Sequence, residues 1–247
     1  RDCQIIVHKA IDSTNSEAKR LALNGAQHGT IVVAEEQTAG RGRMGKSFFS
    51  PPKTGIYMSL ILRPKVDIED AQLVTVYAAV SVCRVTEHFT GLLPKIKWVN
   101  DIYLNGKKIC GILTEGISDF ESGSIESIIV GIGFNFSTRQ EDFPPELRNI
   151  AGSLPVVNIS RNRFAAGVID EILEHGDCRF QPNLIDLYKE RSLMMGKEIL
   201  YQKNTIMASG TVIDINEKGN LVVRTDKGEI DILRSGEVKI RRKNYDG

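Results

Sequence analysis

The sequence predicts an α+β protein: a mixed sheet flanked by helices over residues 1–194, followed by a small β-barrel over residues 195–247. Two observations carry this prediction. In the first part, short β-branched apolar runs are interleaved with segments whose apolar residues recur every three or four positions. At Gly196 the character changes to five short strand-like runs separated by turn residues.

Taken in order, Ile5, Ile6 and Val7 predict a short strand. Thr14 and Glu17 then have the spacing of a capping box, the hydroxyl accepting from first-turn N–H groups while the carboxylate reaches back. The helix they open, with Ala18, Leu21 and Ala22 on its apolar face, stops at Asn24-Gly25. Thr30 to Ala34 reads as a central strand, and Gln37 follows its exit. From Gly55 to Leu62, Ile56, Met58, Leu60 and Leu62 alternate with Tyr57, Ser59 and Ile61 in a strand ended by Arg63-Pro64. Ile68 to Phe89 is a long core helix closed by Gly91.

A strand starting over Ile96 to Val99 and Ile102-Tyr103-Leu104 leads into Asn105-Gly106, a hairpin turn, and the chain returns from Lys107 to Thr114. Alternation sends Lys107 and Lys108 to opposite faces, so only one can look into a site. Ser127 to Phe136 is a further buried strand in which Gly131 and Gly133 permit close approach of a ligand or another backbone. An irregular connection from Phe143-Pro144-Pro145 reaches Asn158, after which Ser160 caps a helix carrying Phe164, Val168, Ile169 and Ile172. A second helix covers Leu184 to Leu193. The barrel strands are expected at Glu198–Gln202, Met207–Ile215, Asn220–Thr225, Ile230–Leu233 and Val238–Ile240.

Composition excludes several classes of function. With 41% hydrophobic and 26% charged residues the 247-residue chain has the make-up of a soluble globular protein, and a net charge of +1 gives no global field for nucleic acid or membrane. No stretch approaches the roughly 18 apolar residues of a membrane span, and no signal peptide opens the chain. Cys3, Cys83, Cys110 and Cys178 lie far apart without metal-ligand spacing and read as buried thiols of a reducing cytoplasm. The histidines form no metal motif, so no protein-built metal site is expected. The basic tail from Lys239 to Lys243 reads as a solvated edge. The chain begins at Arg1 without a methionine, as a fragment or processed protein would.

The most informative stretch is Gly40-Arg41-Gly42-Arg43-Met44-Gly45-Lys46. Its glycines let the main chain close on a ligand and present N–H groups, while two arginines and a lysine offer charge to a carboxylate or phosphate. Residues 40–47 also fit the nucleotide-binding formula G-x-x-x-x-G-K-[ST]. That motif works between a strand and a helix, and here Ser47-Phe48-Phe49-Ser50-Pro51-Pro52 leaves no room for the helix.

The loop, after its lead-in Glu35-x-Gln37-x-Ala39, resembles the biotinyl loop of biotin protein ligases. Lys97-Trp98-Val99-Asn100-Asp101 resembles their Lys-Trp-Pro-Asn-Asp motif, with Val99 in place of proline, and Phe48 stands where many members have tryptophan. The resemblance runs from Ser13-Thr14-Asn15 to the C-terminal strands. It implies the class II synthetase-like biotin/lipoate ligase fold with an SH3-like C-terminal domain. It further implies activation of biotin by ATP and magnesium to biotinyl-5′-adenylate, then transfer to a lysine of a biotin carboxyl carrier protein.

By resemblance, Ser13, Thr14, Asn15, Gln37, Arg41, Gly42, Arg43, Lys108 and Gly111 are expected around biotin. Gly40, Arg43, Phe48, Lys108 and Asn135 are expected around ATP or the adenylate. Lys108, Arg41 and Asp101 are the catalytic candidates: Arg41 and Lys108 offset repulsion between carboxylate and phosphates, and Asp101 orients the acceptor amine or takes its proton. Because such an anhydride hydrolyses in water, residues 40–48 are expected to order over the ligand. Members of the family often pair, which makes a homodimer one expected assembly. A lipoate or octanoate ligase of the same fold is the nearest rival, but its usual Arg-Arg and glycine-run pattern or paired histidine is missing. A P-loop NTPase and a fragment of a DNA-binding repressor are the rivals of different class, and no helix-turn-helix precedes Asp12.

Overall fold

The computed structural model describes residues 3–64, 67, 70–118, 125–155, 158–174, 182–203 and 206–241. Its larger sheet contains β1 (Ile5–His8), β2 (Ile31–Ala34), β3 (Gly55–Leu62), β4 (Lys95–Lys97), β5 (Asp101–Leu104), β6 (Lys107–Ser118) and β7 (Ile125–Asn135). The strand order is β1-β2-β3-β7-β6-β5-β4. Only β1 and β2 are parallel, joined by the crossover of α1 (Thr14–Leu23), and every other neighbouring pair is antiparallel.

The alternation in β3 explains the layers. Ile56, Met58, Leu60 and Leu62 point into a core shared with Val74, Ala78 and Val82 of α2 (Ala71–Thr90), whereas Ile61 joins Ala18 and Ala22 of α1 on the opposite face. Behind α2, α3 (Arg161–Glu174) places Phe164 with its ring centroid 4.8 Å from that of Phe134. In α4 (Leu184–Arg191), Tyr188 is fully buried and donates its hydroxyl hydrogen to Val99 O at 3.0 Å. One face of the sheet is thus sealed by three helices. The other carries α1 beside a cavity.

The second sheet comprises β8 (Glu198–Lys203), β9 (Ile206–Ile215), β10 (Leu221–Thr225), β11 (Ile230–Leu233) and β12 (Val238–Ile240), in the order β11-β10-β9-β8-β12 and antiparallel throughout. One tie to the first domain is a turn, where the carbonyl of Gly219 accepts from Trp98 Nε1 at 2.9 Å and from Gln72 Nε2 at 2.7 Å. Trp98, only 4% exposed, is therefore a tie between the sheets.

Local departures from expectation have simple causes. Ser13, not Thr14, is the helix N-cap and accepts from Ser16 N at 3.5 Å, and Glu17 bonds Arg20 Nε at 2.7 Å rather than reaching back. The strand expected through Val99 stops at Lys97, because residues 98–100 form the turn into β5, and the Trp98–Val99 peptide is cis. The returning strand continues past Thr114 to Ser118. Helix α4 ends at Arg191, since Ser192 is extended. The expected helix start at Ile68, Cys178 and the tail residues Arg242 and Lys243 lie outside the described residues. Cys83 and Cys110 are buried free thiols, and burial pushes Cys83 up to about 12. No helix among the described residues is long and apolar enough to cross a membrane.

Candidate active site

A cavity of about 400 Å³ lies on the α1 face of the sheet, roofed by the glycine-rich loop. The strands beneath it make the room. On β7, a Cβ at Gly131 would sit 1.8 Å from Asn15 Oδ1, and one at Gly133 would sit 2.5 Å from the Phe48 ring. Glycine at these two positions lets Asn15 and Phe48 rest directly on the backbone.

The loop itself is a small hairpin. Arg41 bridges Ser47 across it, Gly42 N donates to Lys46 O at 2.7 Å, and Met44 (φ 54°) and Gly45 (φ 73°) turn the chain through left-handed conformations. Strand β3 follows after a turn, so the helix that a phosphate-binding P-loop needs is not formed.

A chain of side-chain hydrogen bonds occupies one end of the cavity. Gln37 Oε1 accepts from Thr14 N at 2.9 Å and Thr14 Oγ1 at 3.1 Å, and its Nε2 donates to Ser50 Oγ at 2.8 Å. The fully buried Ser59 hydroxyl lies 2.8 Å from Thr14 Oγ1 and 2.7 Å from Asn15 Oδ1, with the geometry of a donor to either. Asn15 Nδ2 donates to Leu113 O at 3.1 Å and to Glu115 Oε2 at 2.9 Å. Glu115 in turn grips Arg41 with both oxygens, at 2.8 and 3.0 Å. The network is polar but nearly neutral, because the one cation in it meets a carboxylate.

The other end is cationic. Lys108 reaches Asp101 at 2.7 Å, and Arg43 Nη1 donates to the neutral Asn100 Oδ1 at 3.0 Å. Lys97, opposite Asp101 in the register of β4 and β5, has its pKa lowered, chiefly by burial and against the pull of Asp101. Among the described residues no carboxylate pairs with Arg43 or Lys97 within 4 Å. At the mouth, Lys46 pairs with Glu237, just before β12, at 2.8 Å and holds that carboxyl below its usual range.

Lys108 reaches this face through an irregularity. Gly111 pairs with Asp101 and Cys110 with Ile102, but Lys108 pairs with Tyr103, so Ile109 is an extra residue in β6. Strict alternation would put Lys108 on the face opposite Gly111. The bulge restores it to the cavity, where Nζ would lie 3.1 Å from a Cβ on Gly111. The backbone of Lys108 is also bracketed, its N–H donating to Ile150 O at 2.8 Å and its carbonyl accepting from Gly152 N at 2.9 Å. Asn135 Nδ2 donates to Gly152 O at 3.1 Å and steadies that segment.

Of the residues expected from sequence, Ser13, Thr14, Asn15, Gln37, Arg41, Gly42, Arg43, Phe48, Asp101, Lys108, Gly111 and Asn135 all line this one cavity. Gly40 stands behind it, where a Cβ would come within 2.4 Å of Phe48 O, so its place in the fold is close packing within the loop. Arg41 is brought to the cavity with its charge already met by Glu115. Sequence reasoning named Lys97 and Asn100 within their motif without giving either a role, and it passed over Ser59, Glu115 and Glu237. The only local signal was for Ser59, a polar residue in an otherwise apolar strand.

A neutral polar end beside a cationic end, under a glycine-rich roof, defines a class: an enzyme that draws an organic acid up to a polyanion. The sequence matches the Biotin/lipoate A/B protein ligase family over residues 7–135 and the Biotin protein ligase C terminal domain over residues 196–241. The chain belongs to the biotin/lipoate A/B protein ligase family. It is 37% identical over 243 residues to the bifunctional ligase/repressor BirA of Bacillus subtilis, covering 96% of this chain and 74% of that protein. It is 27% identical to the biotin–[acetyl-CoA-carboxylase] ligase of Mycobacterium tuberculosis, across 95% of this chain and 88% of the other. The biotin protein ligase from Aquifex aeolicus in complex with biotin and ATP superposes with a TM-score of 0.78 at 29% identity, covering 97% of this chain and 99% of that one.

Proposed function

We propose that the chain is a biotin protein ligase, and the observation that carries this reading is the two-ended cavity. The neutral network of Thr14, Asn15, Gln37 and Ser59 suits a ring system with paired donors and acceptors and no charge, such as the ureido ring of biotin. The biotin carboxylate then points to the cationic end, where ATP binds.

In the first step a carboxylate oxygen forms a bond to the α-phosphorus while the bond to the bridging oxygen breaks, and pyrophosphate leaves with that electron pair. Arg43 and Lys97 meet the phosphates, and Lys108 passes from Asp101 to the carboxylate and phosphate oxygens as charge develops between them. Magnesium brought with the triphosphate would supply further positive charge to its phosphate oxygens. The product is biotinyl-5′-adenylate.

In the second step the amine nitrogen of an acceptor lysine bonds to the acyl carbon and AMP leaves. With Lys108 drawn to the adenylate, Asp101 is released to orient that amine and accept its proton. The acceptor is the biotin carrier domain of a carboxylase, and a homodimer is the assembly expected of the enzyme. Residues 1–194 form the catalytic domain and residues 195–247 the C-terminal domain, whose Glu237 reaches the cavity mouth.

The test is direct: incubation with biotin, ATP and magnesium yields biotinyl-adenylate and pyrophosphate, with lipoate run alongside. Adenylation of lipoate in preference to biotin would reassign the substrate. Neither product would reject the reaction.

A further inference from the structure

Neither chemical step uses Glu115, yet three elements meet at its carboxylate. It stands on β6, facing the cavity side four residues beyond Gly111, which is about 13 Å along a strand rising ~3.3 Å per residue. It lies away from Lys108 and Asp101, so it does not touch the reacting atoms. One hand of the carboxylate holds Asn15 at the start of α1, and the fork of Arg41 occupies both oxygens. Asn15 is 4% exposed and fixed independently by Leu113 O and Ser59, so this side of the joint is rigid. The loop is therefore tethered to the sheet through a bidentate pair on a preorganised base. Of its other side-chain tethers, Arg43 rests on the neutral Asn100, and Lys46 to Glu237 joins side chains 61% and 46% exposed and is the more readily screened.

We propose that Glu115 is a positioning residue: by its fork on Arg41 it fixes the glycine-rich loop to the sheet at the neutral end of the cavity, and so sets how long the activated acid stays shielded from water. The proposal rests on the ligase reading. It makes Arg41 a strut as well as a wall of the cavity.

The experiment is single-turnover formation of labelled biotinyl-adenylate on the whole chain, followed by a chase with unlabelled biotin and timing of adenylate loss. Glu115→Gln and Glu115→Ala are expected to shorten retention ~10-fold, the size set by losing a hydrogen bond to a charged group. Their rate of adenylate formation at saturating substrates stays within about threefold of the parent. Because Arg41 and Glu115 act as one unit, the double variant Arg41→Met/Glu115→Gln retains adenylate no worse than Arg41→Met alone. Retention within twofold of the parent in Glu115→Gln overturns the proposal, as does multiplication of the two effects in the double variant. So does a formation rate that falls in step with retention. Glu115→Gln is nearly isosteric and carries the test should Glu115→Ala not fold. If the parent chain forms no biotinyl-adenylate at all, the ligase reading is what has failed.

Discussion

The two ends of the cavity are built on opposite rules. At one, Thr14, Asn15, Gln37 and Ser59 bond one another and Glu115 offsets Arg41, so the site is polar without a strong field. At the other, Arg43 bonds the neutral Asn100 and meets no carboxylate among the described residues, and Lys97 is held half-buried against the preference of a charged amine for water. Two arginines two positions apart on one loop thus receive different partners. The comparison teaches that compensation, rather than the number of charges, separates the part of a site that recognises a neutral group from the part that attracts anions.

The comparison breaks most sharply at Lys108. Lys108→Ala should lower adenylate formation by ~10²-fold or more, measured as pyrophosphate release, with little change in biotin binding. Next comes Asp101→Ala, for which transfer from preformed adenylate to the carrier lysine should fall ~10²-fold. A normal transfer rate would remove Asp101 from that step. Lys97→Met should reduce adenylate formation about tenfold by loss of one phosphate partner. Its folding stability should hold or rise, because replacing a half-buried charge with an apolar chain relieves desolvation. The sign follows from the lowered pKa: the charged form is disfavoured in the folded protein, so the stability that Lys97 costs in the parent is recovered as pH rises through its folded value.

At the neutral end the effects should be smaller and of another kind. Ser59→Ala should raise the KM for biotin roughly 5- to 10-fold with kcat for adenylate formation nearly unchanged, since one net hydrogen bond of about 1 kcal/mol is lost. A fall in kcat instead would show that the ends are not separable. The smallest effect belongs to the joint between sheets. Trp98→Phe removes the bond to Gly219 O and should cost ~1 kcal/mol, seen as a fall of about 2–4 °C in Tm.

Much of this was legible in the residues themselves. The alternation in residues 55–62 and the five short runs after Gly196 each reappear as elements within one or two residues of their expected ends, and the Asn105-Gly106 turn joins β5 to β6 as expected. The loop marked the cavity by its glycines and clustered charges, and the Lys97–Asp101 motif by its resemblance to the family's motif. Thr14 misled as a cap because Ser13 beside it has the same capacity, and only the position of Gln37 and Ser59 decides which hydroxyl turns inward. Glu115 was invisible because the strand carrying it was expected to end at Thr114 and its partners are 74 and 100 residues away in sequence.

The sequence by itself determined the order of strands and helices, the two-part organisation and the loop that must roof a site, since these follow from periodicity and backbone freedom within a few residues. Only the tertiary structure decided which charges are cancelled and which are left for a ligand. Local pattern points Lys108 away from Gly111, and the bulge at Ile109 that turns it back exists only because β5 pairs alongside. Compensation is a property of distance in space, and side chains such as Arg41 and Glu115 acquire it only when the sheet brings them within hydrogen-bonding reach.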